Sequence, residues 1–246
     1  MKKPIRILLV GAKGRMGKAI AAAAENRSEV IISGKVDRND PLDLSIHDPD
    51  VVMDFSQTEA TALVCRACLE NKKPLVLGTT GHTEEQIKLI EAAAQSVPIL
   101  FAPNFSIGVN TLFWLTRKAV EVVGSDFDVE IVEMHHRSKK DSPSGTAKRL
   151  GEILIEARSL DYGKNVVHGR KGPIGERPHD EIGMHALRGG DVVGEHIVIF
   201  AGQGERLELI HRASSRETFA LGALRAAQWI VGKSPGLYSM QDVLGL

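Results

Sequence analysis

His135, His136 and Lys139 stand within five positions of one another, and Pro143-Ser144-Gly145-Thr146 follows almost at once. Imidazole and ammonium groups are the side chains best suited to moving a proton near neutral pH. Between His135 and Arg149 there are five Lys/Arg (Arg137, Lys139, Lys140, Lys148, Arg149) and one acid, Asp141, in a chain whose formal net charge is zero. Positive charge gathered beside proton-transfer groups points to a site for a small anion that undergoes acid–base chemistry.

The elements that must position these groups are a strand and a helix. Phe127–Met134 alternates like a strand, which puts His135 at its exit and turns His135 and His136 to opposite sides. Ser144–Arg158 has helical spacing, so Gly145 and Thr146 fall in the first turn, where backbone N–H groups and the dipole suit a carboxylate. Pro143 fixes the approach and Gly145 leaves room for close contact. Either His135 or Lys139 could deliver the proton. Arg137, Lys140 and Arg149 read as solvated surface charge.

A second candidate site lies near the N-terminus. Ile5–Val10 is an apolar run ended by Gly11, and Gly11-Ala12-Lys13-Gly14-Arg15-Met16-Gly17 opens a helix over Met16–Asn26. Strand, glycine turn and helix in that order form a dinucleotide cradle, with the pyrophosphate at the helix N-terminus. Asp37 follows a second strand, Val30–Val36, 20 residues beyond Gly17, where a carboxylate meets the ribose hydroxyls of NAD. Arg38 could meet the extra phosphate of NADP. Gly78-Thr79-Thr80-Gly81 and Ala102-Pro103-Asn104-Phe105 follow further strand ends and suit a nicotinamide-ribose pocket.

Strands at Val51–Phe55, Pro74–Gly78 and Pro98–Ala102 alternate with helices, one of them opened by a Thr83/Gln86 capping box. This predicts a Rossmann-like, doubly wound parallel sheet. After residue 105 come a helix over Val109–Val123, the strand leading to His135, the helix beyond it, and three successive strands: Ile182–Arg188, Val192–Phe200 and Arg206–Arg212. That order implies an α+β domain on a mixed sheet. Gly189-Gly190-Asp191 reads as a tight hairpin. Asp161–Glu181 reads as a long loop, mobile or functional. A capping box at Ser214/Glu217 starts a C-terminal helix that returns to the first domain. The expected domains are therefore 1–105 with a helical segment 215–246, which binds dinucleotide, and 106–214.

Composition narrows the function. Aromatics make up 4% of the chain, too few for a base-stacking surface, and zero net charge gives no pull toward nucleic acid or anionic membranes. No apolar run approaches the ~18–20 residues of a membrane span, and the N-terminus lacks a signal-peptide pattern, so the expected location is cytoplasmic. Cys65 and Cys68, the only cysteines, lie in a helical segment with no second pair to complete a metal site, and none is expected.

With these pieces in order, the chain resembles the 4-hydroxy-tetrahydrodipicolinate reductase family almost end to end. The carriers are GAKGRMG at 11–17, MDF at 53–55, GTTG at 78–81, APNFSIGVN at 102–110, EMHHRSKKDSPSGTA at 133–147, GDVVGEH at 190–196 and ASSRETFA at 213–220. The resemblance implies a homotetramer that uses NADH or NADPH to reduce a cyclic hydroxy-dicarboxylate. It implies His135 and Lys139 as the acid–base pair, and His136, Gly145 and Thr146 as substrate contacts. It also implies cofactor contacts from Gly11 to Met16 and from Asp37, Arg38, Gly78 to Thr80 and Ala102 to Phe105. Lys13, Gln57 and Pro103 depart from many members and bear on cofactor preference. The alternatives are another two-domain NAD(P)-dependent amino-acid dehydrogenase and a non-catalytic dinucleotide sensor.

Overall fold

Burial on both faces makes β1 (Ile5–Val10) a central strand: Ile7, Leu8 and Leu9 are fully buried. The structure is a computed structural model and describes residues 3–38 and 40–246. The chain then runs α1 (Arg15–Glu25), β2 (Val30–Val36), α2 (Leu42–Ser45), β3 (Val51–Asp54), α3 (Thr61–Glu70), β4 (Leu75–Leu77), α4 (Glu84–Ala94), β5 (Pro98–Phe101) and α5 (Ile107–Val123). It continues with β6 (Asp128–His135), α6 (Gly145–Arg158), α7 (Tyr162–Asn165), β7 (Val166–His168), β8 (Ile182–Arg188), β9 (Gly194–Ala201) and β10 (Arg206–Ala213). It closes with α8 (Glu217–Ile230), β11 (Gly236–Tyr238) and α9 (Met240–Leu244). Two compact units result: Met1–Ile107 with Arg216–Leu246, and Gly108–Ser215.

The first unit is a parallel sheet of order β11-β5-β4-β3-β1-β2. Side chains alternate between its faces. Ile7, Leu9, Val51, Met53, Val76 and Leu100 join α1 and α8 in one core layer. Leu8, Val10, Val52, Leu75, Leu77 and Ile99 join α3 and α4 in the other. The Thr83/Gln86 capping box forms. Helix α8 buries an alanine-rich face (Ala220, Ala223, Ala226, Ala227), and a Cβ on Gly222 would stand 1.8 Å from the Phe105 carbonyl oxygen, so the helix lies directly on that loop.

Two expectations at the C-terminus are corrected. Helix α8 begins at Glu217 with Arg216 as its N-cap and no side-chain cap bond, so the Ser214/Glu217 capping box is not what starts it. Nor is 215–246 one helical segment: Gly232, in the left-handed region at φ +84°, ends the turn after α8, and β11 then pairs parallel with β5 as an edge strand.

The second unit is a five-stranded mixed sheet of order β10-β9-β6-β8-β7. β6 alternates strictly, with Val129, Ile131, Glu133 and His135 on the buried face. The Gly189-Gly190-Asp191 hairpin is overturned. β8 pairs parallel with β6 and β9 pairs antiparallel with its other edge, so β8 and β9 are not neighbours. The connection instead crosses the exit of β6, held by Gly189 N–H to the His135 carbonyl (2.9 Å) and Arg137 N–H to the Gly190 carbonyl (3.2 Å). The 161–181 stretch is not a plain loop either. It contains α7 and β7, and its Arg170 and Arg177 clasp Glu130 of β6.

Candidate active site

Two clusters carry chemistry, one in each unit. In the first unit Gly11 has φ +80°, and a Cβ there would stand 2.6 Å from the Phe55 carbonyl oxygen; one on Gly17 would stand 2.3 Å from the Gly11 oxygen. Only glycine lets the turn press against the exit of β3 and α1 press against the turn. Gly14 is the N-cap of α1, makes no side-chain cap, and the first turn holds no acid, which leaves a positive helix end bordered by Arg15. Asp37 accepts from Lys13 N–H (2.8 Å) and Arg38 N–H (3.1 Å), and these bonds hold its carboxyl below the usual range. A cavity of about 450 Å³ lies here, lined by Gly11, Gly14, Asp37, Arg38, Phe55 and Gln57 among others. It sits at the ends of β1, β2 and β3, three parallel strands whose order places β2 on one side of β1 and β3 on the other, the kind of switch point at which open α/β sheets bind ligands. An uncapped helix end, a carboxylate on the cavity wall and a cavity of that size fit a dinucleotide.

The other cofactor candidates fall around this cradle in unequal ways. Ala12 and Met16 are half-buried beside the turn and Lys13 is exposed on it. Gly78 lies against the Phe55 ring, where a Cβ would come within 2.2 Å of it. Thr79 is buried next to Asp54, while Thr80 is exposed. Asp54, fully buried, takes both the N–H (2.9 Å) and hydroxyl (2.5 Å) of Ser56 and so fixes the loop after β3; burial pushes its carboxyl up. Ala102 and Phe105 are core residues, with the Phe105 ring 5.2 Å from Phe55. Any ligand contact from them comes through backbone, whereas Pro103 is exposed and Asn104 half-buried. The two cysteines are buried and free; burial, then Asp54, pushes the Cys65 thiol up to about 11, and burial pushes the Cys68 thiol well above its ordinary value. They are packing residues of α3, not thiolate chemistry.

The second cluster gathers at the exit of β6. His135 Nδ1 lies 2.6 Å from Glu133 Oε2. Glu133 is fully buried and also accepts two bonds from Arg188 (2.8 and 2.9 Å) and one from Ser144 N–H (3.0 Å). Burial alone would push its carboxyl up, but the bonds from His135, Arg188 and Ser144 win and hold it at about 2. A buried carboxylate without such partners would cost several kcal/mol. On the neighbouring strand His196 bonds Ser144 Oγ through Nε2 (3.1 Å) with its ring 5.2 Å from that of His135. Burial, then the nearby His135, lowers His196 to about 3, so it is neutral at pH 7.

Lys139 Nζ pairs with Asp141 at 2.9 Å, and its side chain is 20% exposed. Its N–H closes a turn on the His136 carbonyl (3.0 Å), which folds the lysine back beside the strand exit. His136 is half-buried just past the end of β6. Ser144 caps α6 by accepting from Ala147 N–H (3.2 Å). Gly145 is exposed with nothing within 4 Å of a Cβ position, and half-buried Thr146 follows it on the first turn. Arg149 pairs with Glu152 and Glu156 along its own helix while remaining 40% exposed. Sequence reasoning missed Glu133, Arg188 and His196. Glu133 was legible, since two residues back on a strand is the same face; Arg188 and His196 come from other strands and carried no local signal. Among the described residues no cluster could hold a metal ion, and no helix is long and apolar enough to cross a membrane.

Comparison with known proteins locates these features in a family. Residues 5–105 match the family model described as dihydrodipicolinate reductase, N-terminus, and residues 108–244 match dihydrodipicolinate reductase, C-terminus. The 4-hydroxy-tetrahydrodipicolinate reductase of Akkermansia muciniphila is 54% identical over 242 residues, covering 98% of each chain. That of Syntrophotalea carbinolica is 44% identical, covering 98% of this chain and 99% of the relative. A dipicolinate-bound dihydrodipicolinate reductase from Paenisporosarcina sp. TG-14 has the same fold, with a TM-score of 0.78 at 23% identity, covering 97% of this chain and 98% of that one.

Proposed function

The chain belongs to the dihydrodipicolinate reductase family, and we propose on that premise that it reduces 4-hydroxy-tetrahydrodipicolinate to tetrahydrodipicolinate in lysine and diaminopimelate biosynthesis. NADH or NADPH supplies the hydride when bound; with one proton taken up and one water lost, the reaction balances. The observation that carries the reading is the exit of β6, where His135, Lys139 and the N-terminus of α6 converge in one short segment.

In this reading His135 and Lys139 are the acid–base pair. The Lys139 ammonium, tied to Asp141, is a proton source and a counter-charge for a substrate carboxylate. His136, Gly145 and Thr146 hold the substrate, with the open space over Gly145 letting a carboxylate approach the helix end. Positive charge gathered there stabilises negative charge that develops as the ring is reduced. Gly11 to Met16, Asp37 and Arg38 would hold the dinucleotide, with Gly78 to Thr80 and Ala102 to Phe105 bordering it. The first unit is thus the dinucleotide domain and the second the substrate and assembly domain. We extend the reading to a cytoplasmic homotetramer. Its support is the outer face of the second sheet, where Val132, Met134, Ile197, Ile199, Ile210 and Leu187 share one side, Ile210 and Leu187 being 44% and 49% exposed.

The test is oxidation of NADH and NADPH by the purified protein with substrate generated freshly from pyruvate and aspartate semialdehyde. Oxidation well above the substrate-free control is expected. Its absence, with cofactor still bound, would leave a dinucleotide sensor or a different reductase.

A further inference from the structure

Both oxygens of the Glu133 carboxylate accept two bonds each, and one of those bonds comes from the His135 imidazole. Arg188 from β8 takes both oxygens, Ser144 N–H from the start of α6 takes Oε1, and His135 Nδ1 takes Oε2 at 2.6 Å. Arg188 also bonds the Asp141 carbonyl (2.7 Å), so the clamp on Glu133 is tied to the loop that carries Lys139. A carboxylate held this low is ionised throughout the neutral range and can only accept, so the hydrogen in the 2.6 Å contact belongs to His135 Nδ1. The lone pair of the neutral ring is then on Nε2. That nitrogen faces Gly194, the first residue of β9, where a Cβ would stand 3.0 Å from Nε2 and 3.4 Å from Cδ2. Gly194 is not among the glycines in the left-handed region, so backbone conformation does not demand glycine there. What a larger residue would do is cover Nε2.

We propose that Glu133 is the positioning residue of the proton-transfer site: it fixes the His135 ring through Nδ1 and presents Nε2, which Gly194 leaves uncovered, as the atom that exchanges the proton. The proposal rests on the reading of His135 as a member of the acid–base pair. In the protonating step the Nε2–H bond breaks, the proton goes to the substrate atom that becomes electron-rich on hydride addition, and the electron pair stays on Nε2. The charged and titratable groups around the ring are Glu133 on its own strand, Arg188 on β8, His196 on β9 with His211 opposite it on β10, and Lys139 and Asp141 on the loop beyond. Of these, Glu133 alone contacts His135 Nδ1, and His196 is neutral at pH 7.

The experiment compares Glu133→Gln, Glu133→Asp, Gly194→Ala and His135→Ala in the full-length protein, with each fold checked by thermal melting. Glu133→Gln is expected to lower kcat by ~10–100-fold, with substrate KM and cofactor Kd changed less than about twofold, and Glu133→Asp to recover part of the loss. Adding Glu133→Gln to His135→Ala should cost nothing further, because the first residue acts only through the second. Imidazole ¹⁵N–¹H spectra should show His135 protonated at Nδ1 in the wild type and a changed tautomer mixture in Glu133→Gln. If Glu133→Gln fails to fold, Gly194→Ala, which leaves the Glu133–Arg188 pair intact, still tests the idea by an expected kcat loss of at least ~10-fold. Wild-type turnover in Glu133→Gln or Gly194→Ala, or a His135 ring protonated at Nε2 alone, would overturn the proposal. So would a full additional loss in the double variant. An active wild type with an unimpaired His135→Ala would overturn this proposal and spare the reductase reading. An inactive wild type would sink the reductase reading, while the spectra would still decide the role of Glu133.

Discussion

At the exit of β1 the chain uses glycines so close to their neighbours that no methyl group fits; at the exit of β6 it uses a carboxylate held by three partners away from water. The first site is specified by shape and backbone: N–H groups, a helix end, and one half-buried acid, Asp37. The second is specified by charge and protonation: Glu133 fixes a ring, and Lys139 stands on a short turn with its own counter-ion, Asp141. A site that holds a large, fixed-shape ligand can be built from conformational restriction. A site that moves a proton needs titratable groups whose states are set by neighbours.

The comparison breaks most visibly at Lys139. Replacing it by alanine should cut kcat by ~10²–10⁴-fold while the cofactor dissociation constant, read by fluorescence titration, stays near the wild-type value. Unaltered turnover would remove Lys139 from the pair. The converse change is Gly17→Ala, whose Cβ would meet the Gly11 oxygen at 2.3 Å. It should weaken cofactor binding by ~10-fold or more and, with overpacking typically costing ~1–3 kcal/mol, lower the melting temperature by several degrees. The His135 tautomer should not change. Normal cofactor affinity in this variant would mean that the turn is only structural.

A smaller effect sharpens the chemistry of the first site. Asp37→Asn removes the ribose-directed charge but keeps Arg38, so kcat/KM for NADH should fall several-fold more than that for NADPH. An unchanged ratio would show that Asp37 only braces the turn through Lys13 and Arg38. The smallest effect is on stability in acid. The Glu133 carboxyl is lowered from 4.5 to about 2 in the fold, so the stability it contributes is fully present above pH ~4.5 and lost as pH falls toward 2. Glu130, also held at about 2, titrates in the same window. Urea titrations between pH 5 and 2 should therefore show stability falling less steeply in Glu133→Gln than in the wild type. Equal slopes would mean that the carboxyl is not held low.

The two sites were also unequally legible in the sequence. The β1 turn could be read because glycine spacing is local and β1 is apolar on both faces. The strand before His135 could be read because its period is two, and the same period already puts Glu133 beside His135. Arg188 could not be found this way, because its partnership with Glu133 depends on β8 pairing parallel with β6, a pairing decided by packing far along the chain. The same non-local choice turned an apparent glycine hairpin into a crossover. The third miss, β11, is a three-residue edge strand, too short for periodicity to register and stabilised by pairing with β5.

That last strand and the helix before it have a consequence for how the protein is made. The inner core layer of the first unit includes Ala220, Ala223, Leu224, Ile230, Met240 and Val243, all supplied by the final thirty-one residues. A ribosome delivering the chain in order releases five strands of the first sheet and then all of the second unit, while one face of that sheet is covered by α1 alone. The unit begun first is finished last. A truncation that removes the C-terminal segment should leave an exposed apolar sheet face, and nascent chains stalled near residue 215 should be the species that most needs a chaperone.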